Sequence, residues 1–175
     1  LRDRAALIRA TLNADVASGG FWSSATNSFV HTRDLAGNVL GDVAHVHDNA
    51  TAVTFGVADH DRAVAIMAEY TAFQAANGLS LFPAQRLNFT GGENNNPFPS
   101  YLNGNIFPQM TLEMMSAYVT VGEDARALDL LAALAALYEE DELVYNTYNW
   151  DLSPDRRREP WFAANARPAA GFYTQ

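Results

Sequence analysis

Twice along the chain an almost wholly apolar helical stretch runs into a tight turn and then into an amphipathic helical stretch. The first pair joins residues 48–58 to a stripe of Ala63, Ile66, Met67, Tyr70 and Phe73, with Asp59 or Asp61 able to cap the second helix. The second pair joins 106–121, with Pro108 in its first turn and Gly122 at its end, to a stripe of Ala125, Leu128, Leu131, Ala132 and Leu134 over 124–138. A helix that is apolar on all sides has to be buried, whereas one with a single apolar stripe covers a core from outside. The repeated order is therefore inner helix, short turn, outer helix, and a further amphipathic helix over 1–17 precedes the first pair.

Long connections alternate with those tight turns. Residues 21–40 carry short aromatic and β-branched runs, Phe21-Trp22 and Phe29-Val30-His31-Thr32, and predict one irregular β-hairpin. Residues 77–105 hold most of the Gly, Asn and Pro, and a loop of that length usually has a function. The segment 144–175 is aromatic, and Pro154, Pro160 and Pro168 confine any helix in it to about 161–167. Short turns at one end and long loops at the other predict an all-α fold of one domain over 1–175, an α/α toroid of helical hairpins. In such a ring the N-termini of the inner helices face a shared, loop-rich funnel, and ligands are expected there.

Composition narrows the partners. Acidic residues outnumber basic ones by 20 to 11, the net charge is −9, and every basic residue is Arg. Nucleic acid and anionic membrane are poor partners for that charge, and no apolar run approaches the ~20 residues of a membrane span. Cysteine is absent, which removes disulfides and thiolate metal sites. His45, His47 and His60 make no recognised zinc pattern, so neither a metal nor another cofactor is expected. The chain begins at Leu1 without an initiator Met, a signal peptide or a targeting run, and is expected to be a piece of a longer polypeptide.

Two stretches carry a resemblance to a known group. Phe21-Trp22 followed by a hairpin and then His45-Val46-His47-Asp48-Asn49-Ala50-Thr51-Ala52-Val53-Thr54-Phe55-Gly56-Val57-Ala58, and later Tyr101-Leu102-Asn103-Gly104-Asn105-Ile106-Phe107-Pro108, resemble segments of bacterial and fungal six-hairpin glycosidases. In layout the chain is most similar to the α-L-rhamnosidase-like and debranching-type members. The resemblance implies a glycoside hydrolase whose six hairpins close an (α/α)6 barrel, of which this chain would supply about half. Its partners would be an oligosaccharide or glycoside substrate and the remainder of the barrel, and an inner-helix surface would be left apolar and exposed.

Glycoside hydrolysis needs one protonated and one ionised carboxyl group. Three carboxylates fall at funnel positions. Asp48 opens the first inner helix, either as its N-cap or as a substrate contact. Glu93 sits in the Gly- and Asn-rich loop and is the leading general acid unless it is only a solvated loop carboxylate. Glu159 precedes Pro160-Trp161 and either acts on substrate or pairs with the Arg156–Arg158 run. Glu113, deeper in the second inner helix, is a reserve. His45, His47, Asn49, Asn103 and Gln109 are candidates to hydrogen-bond sugar hydroxyls, and Tyr101, Trp150 and Trp161 to stack on a pyranose face. Two other readings stay open: a sugar epimerase or isomerase using His45 and His47 as proton shuttles, and a non-catalytic helical-repeat binding module.

Overall fold

A computed structural model of the chain describes residues 2–88, 98–99, 103–142 and 145–153. Five helices form: α1 (Arg2–Asn13), α2 (Val46–Thr54), α3 (His60–Ala76), α4 (Pro108–Thr120) and α5 (Asp124–Asp141). Between α1 and α2 lie four short strands, β1 (Trp22–Ser23), β2 (Ser28–Phe29), β3 (Thr32–Arg33) and β4 (Val39–Gly41). They pair antiparallel as β1–β2 and β3–β4, so the segment read as one hairpin is two.

The predicted all-α toroid is corrected by this architecture, which is mixed: five helices with two small antiparallel sheets, and no toroid among the described residues. Two physical reasons stand out. A ring requires each outer helix to bury its stripe, yet α1 contains no buried residue and leaves Leu7 and Ile8 exposed. The aromatic run at 21–30 also finds its own partner, since Trp22 sits opposite Phe29 across β1–β2 with the rings edge to face at 5.4 Å. The expected helix at 161–167 lies outside the described residues.

The helical pairs themselves follow the chain's apolar pattern. Asp59 caps α3, its side chain accepting from the Arg62 N–H at 3.0 Å. Gly122, at φ +83°, takes the left-handed turn after α4 that a side chain would resist. Helix α2 packs chiefly against α4, and α4 against α5. The main core gathers Val46, Ala50 and Val53 of α2, Ile66, Met67 and Tyr70 of α3, and Met114, Ala117 and Tyr118 of α4, with Trp22, Phe29 and Phe82 closing it. A second cluster joins Leu79, Leu81 and Ile106 to Leu134 and Leu137 of α5 and to Tyr148. No helix among the described residues is long and apolar enough to cross a membrane.

Backbone hydrogen bonds string the irregular segments together beside the start of α2. Val46 N–H donates to Ala84 O, Ala84 N–H to Asn105 O, and Ile106 exchanges both bonds with Tyr148. These bridges satisfy backbone groups that would otherwise be buried unpaired. On the outside, Leu112 and Val119 of α4 and Leu128 and Leu131 of α5 remain exposed.

One side chain ties the strands to the helices. Asn49 is fully buried; its Oδ1 accepts the Phe29 N–H at 2.8 Å, and its Nδ2 donates to His45 O at 2.9 Å and to Phe29 O at 3.3 Å. Replacing it by Ala strands the Phe29 N–H in the interior, so Asn49→Ala should lower the unfolding free energy in urea by about 1–3 kcal/mol. The exposed Leu128→Ala change should stay within about 0.5 kcal/mol.

Candidate functional site

The clearest concentration of ionisable side chains lies where the strands meet the start of α2. His31 stands between β2 and β3, its N–H donating to Gly41 O at 2.7 Å. His45 occupies the N-cap position of α2, and His47 and Asp48 follow in the first turn. The residue before this run, Ala44, is buried at φ +47°, a left-handed conformation costing roughly 1–2 kcal/mol for a residue with a Cβ. Its carbonyl is held by the Tyr70 hydroxyl at 2.6 Å and the Arg86 N–H at 3.3 Å, and those two buried bonds offset the strain and fix the angle at which α2 begins. The Asn49 clamp then sets β2, and with it His31, against the same turn of helix.

Three side chains converge there. Asp48 Oδ2 is hydrogen-bonded to His31 Nδ1 and lies 3.6 Å from His45 Nδ1. The two imidazole rings are 4.9 Å apart, tilted by 45°. His45 Nδ1 is buried and has no hydrogen-bond partner among the described residues, with the Asp48 carboxylate just beyond hydrogen-bonding reach. Burial of the Asp48 carboxyl pushes its pKa up, but the pull of His45 and His31 on the anion outweighs that and holds it below the ordinary value of 3.8. Asp48 is therefore an anion at neutral pH.

A second pair flanks the first. His47 Nδ1 is 2.9 Å from Glu113 Oε2 on α4, and the other oxygen of Glu113 accepts from Gln109 Nε2 at 3.1 Å. The packing of α2 on α4 makes this pair, since the two residues are 66 positions apart. Beside the first group, and reached from the second pair by His47, runs a cleft of about 290 Å³. Phe21, Phe29 and Val57 supply apolar wall, Leu12 of α1 lines it as well, and His31, His47 and Asp48 supply the polar groups. That volume is near the lower end of the ~300–1,000 Å³ typical of small-molecule sites, and an apolar wall with a few convergent polar groups is their usual lining.

The residues singled out from sequence divide sharply. Asp48, His45, His47 and Gln109 come together, joined by the reserve residue Glu113. Asp48 is not the N-cap; His45 holds that position without a side-chain capping bond, and the Asp48 carboxylate faces the histidines. Asn49 is corrected from sugar ligand to structural clamp, because its amide is buried and engaged with backbone. Asn103 is likewise fully buried, its amide placed between Gln85 and Asn88. Trp150 donates to Gly104 O at 2.7 Å and packs edge-on to Phe73 in the second core cluster, apart from the cleft lining. Glu93, Glu159, Tyr101 and Trp161 lie outside the described residues.

His31 was the omission. Nothing in its own segment marks it, since a His in a short β-like run is unremarkable, and only the fold brings it across 17 positions to Asp48. With it, the expectation of no metal loses its basis. That expectation rested on the spacing of His45, His47 and His60, whereas His31, His45 and Asp48 offer ligand atoms all within 4.8 Å of one another.

The depressed Asp48 pKa has a measurable sign. A carboxyl held lower in the native than in the unfolded chain adds stability that is complete above about 3.8 and is lost as pH falls through the native value. Asp48→Asn should therefore flatten that part of the acid limb of the stability–pH curve, read by urea unfolding between pH 5 and pH 2. An unchanged limb would mean the histidines do not hold the anion.

Compared with known proteins, the chain matches no family model, no curated protein and no solved structure.

Proposed function

We propose that the chain is a carbohydrate-active enzyme that cleaves glycosidic bonds, with the sugar in the cleft between the strands and α2. The observation that carries this reading is the pairing of two carboxylates on neighbouring helices, each with a histidine, with Asp48 and His47 lining a largely apolar cleft of monosaccharide scale. A glycosidase divides its work between an ionised carboxylate that activates water or attacks, and an acid that protonates the leaving oxygen. Asp48, held as an anion by His45 and His31, suits the first role and not the second. Glu113, bonded to His47 and with its other oxygen held by Gln109, is assigned the second role. Phe21, partly buried at the cleft wall, offers the apolar surface on which a pyranose ring packs. The resemblance of 45–58 and 101–108 to glycosidase segments supports the same chemistry, while the ring architecture that came with it is set aside.

A second reading, a sugar epimerase or isomerase, is favoured by one specific observation: His31, His45 and His47 form a contiguous group, with ring centroids 4.9 Å and 6.3 Å apart. Proton transfer next to a carbonyl or hydroxyl carbon is work for such a group.

The test is hydrolysis of aryl α- and β-glycosides, rhamnosides and glucosides included, together with exchange of solvent deuterium into free sugars. The glycosidase reading expects turnover that falls about 10²–10⁴-fold in kcat/KM for Asp48→Asn and for Glu113→Gln, with the sugar Kd little changed. Deuterium incorporation that depends on His31 or His47, without hydrolysis, selects the epimerase. Sugar binding with neither reaction leaves a binding module and removes both enzyme readings.

A further inference from the structure

We infer that His31, His45 and Asp48 form a binding site for one divalent transition-metal ion of the zinc type, open on its remaining side to the cleft. Two imidazole nitrogens and one carboxylate oxygen are a donor set suited to such ions, and a site with three protein ligands keeps a position for water. The donors arrive from separate parts of the fold, His31 from the strand region and His45 and Asp48 from the start of α2, and the Asn49 clamp holds those two parts together.

The distances fit an ion after a small adjustment. Donors about 2.0–2.1 Å from a tetrahedral zinc stand about 3.3 Å from each other. His45 Nδ1 and Asp48 Oδ2 are already 3.6 Å apart, and the whole set lies within 4.8 Å. The remaining movement falls on His31, whose side chain is 47% exposed and can swing without disturbing the core. Its hydrogen bond to Asp48 opens as the ion takes the place of the bridging proton; that proton leaves Nδ1 for solvent, and the neutral ligating ring carries its one proton on Nε2.

The buried His45 Nδ1 points to a ligand independently of that geometry. A ring nitrogen sealed from water and lacking a hydrogen-bond partner among the described residues is costly to leave so, and a metal bond would satisfy it. One force opposes the cation: the N-terminus of α2 carries roughly half a positive charge. The full negative charge of Asp48 in the same turn outweighs it, and the net charge of −9 works in the same direction.

The inference does not rest on the carbohydrate reading. An ion would engage the Asp48 carboxylate in place of the role given to it there, while Glu113 and His47 are outside the ligand set. The experiment is calorimetric titration of the chelator-treated full chain with zinc chloride, paralleled by cobalt(II) and its visible absorption. One ion per chain is expected, with the intense bands of a four- or five-coordinate cobalt centre. Loss of an outer partner of a metal ligand commonly weakens binding 10–100-fold, so His31→Ala and Asp48→Asn should each weaken it by about 100-fold or more. The exposed His60→Ala should leave affinity unchanged, and Glu113→Gln should keep the metal whether or not turnover survives. Absence of binding at millimolar zinc overturns the inference, and so does binding that a folded His31→Ala variant retains in full. His31 is exposed, so its variant tests the site even if Asp48→Asn proves unstable.

Discussion

The arrangement around the cleft depends on a single buried amide. Asn49 exchanges bonds with the Phe29 backbone and returns one to the His45 carbonyl, so it does for strand and helix together what a ladder does within a sheet. Both strand pairs are only two or three residues deep, too short to hold themselves in place against a bundle. A polar group buried without a partner is costly, and this demand makes the clamp specific: only one register of Phe29 against α2 satisfies every group on Asn49. His31, two residues beyond Phe29, owes its position to that register.

A second constraint acts from the other side of the same turn. Tyr70 and Arg86 hold the Ala44 carbonyl, and Arg86 also reaches Glu69 and the Thr26 carbonyl. Arg86 lies 4.8 Å over the Tyr70 ring, and Glu69 accepts from Asn27 as well, so helix, loop and strand turn share one partly buried polar network. The ionisable residues at the start of α2 thus sit on a base tied down by side chains from α3 and from the 85–86 loop. Groups that must hold a proton or an ion at a fixed distance need that kind of support.

How much of this was legible follows from the range of the forces involved. Helix periodicity, the Asp59 cap, the Pro108 start and the Gly122 stop are local, and α2 to α5 stand close to where the residues put them. The arrangement of those helices is not local, and the toroid failed there: α1 has the spacing of a packed helix but buries none of it. At the cleft, His45, His47 and Asp48 do share the start of α2, a grouping that their closeness in sequence makes visible. Asn49 and Asp48, adjacent and equally polar, took opposite roles because consecutive helical residues point in different directions, one inward to Phe29 and one outward to the histidines. Glu113 and His31 were brought in by tertiary contact, and no spacing rule reaches across 66 or 17 positions.

The two sides of the cleft are built to different standards. One is the start of α2, backed by the main core. The other includes Leu12 of α1, a helix without a buried residue, held near its end by Asn13, which donates to the Val57 carbonyl at 2.7 Å and accepts from Arg62 at 2.9 Å. Lifting that helix breaks a few hydrogen bonds and exposes little new apolar surface, so its opening is far cheaper than unfolding. The cleft's volume is accordingly a matter of equilibrium and not fixed: displacing α1 enlarges it, while the charged side stays as it was.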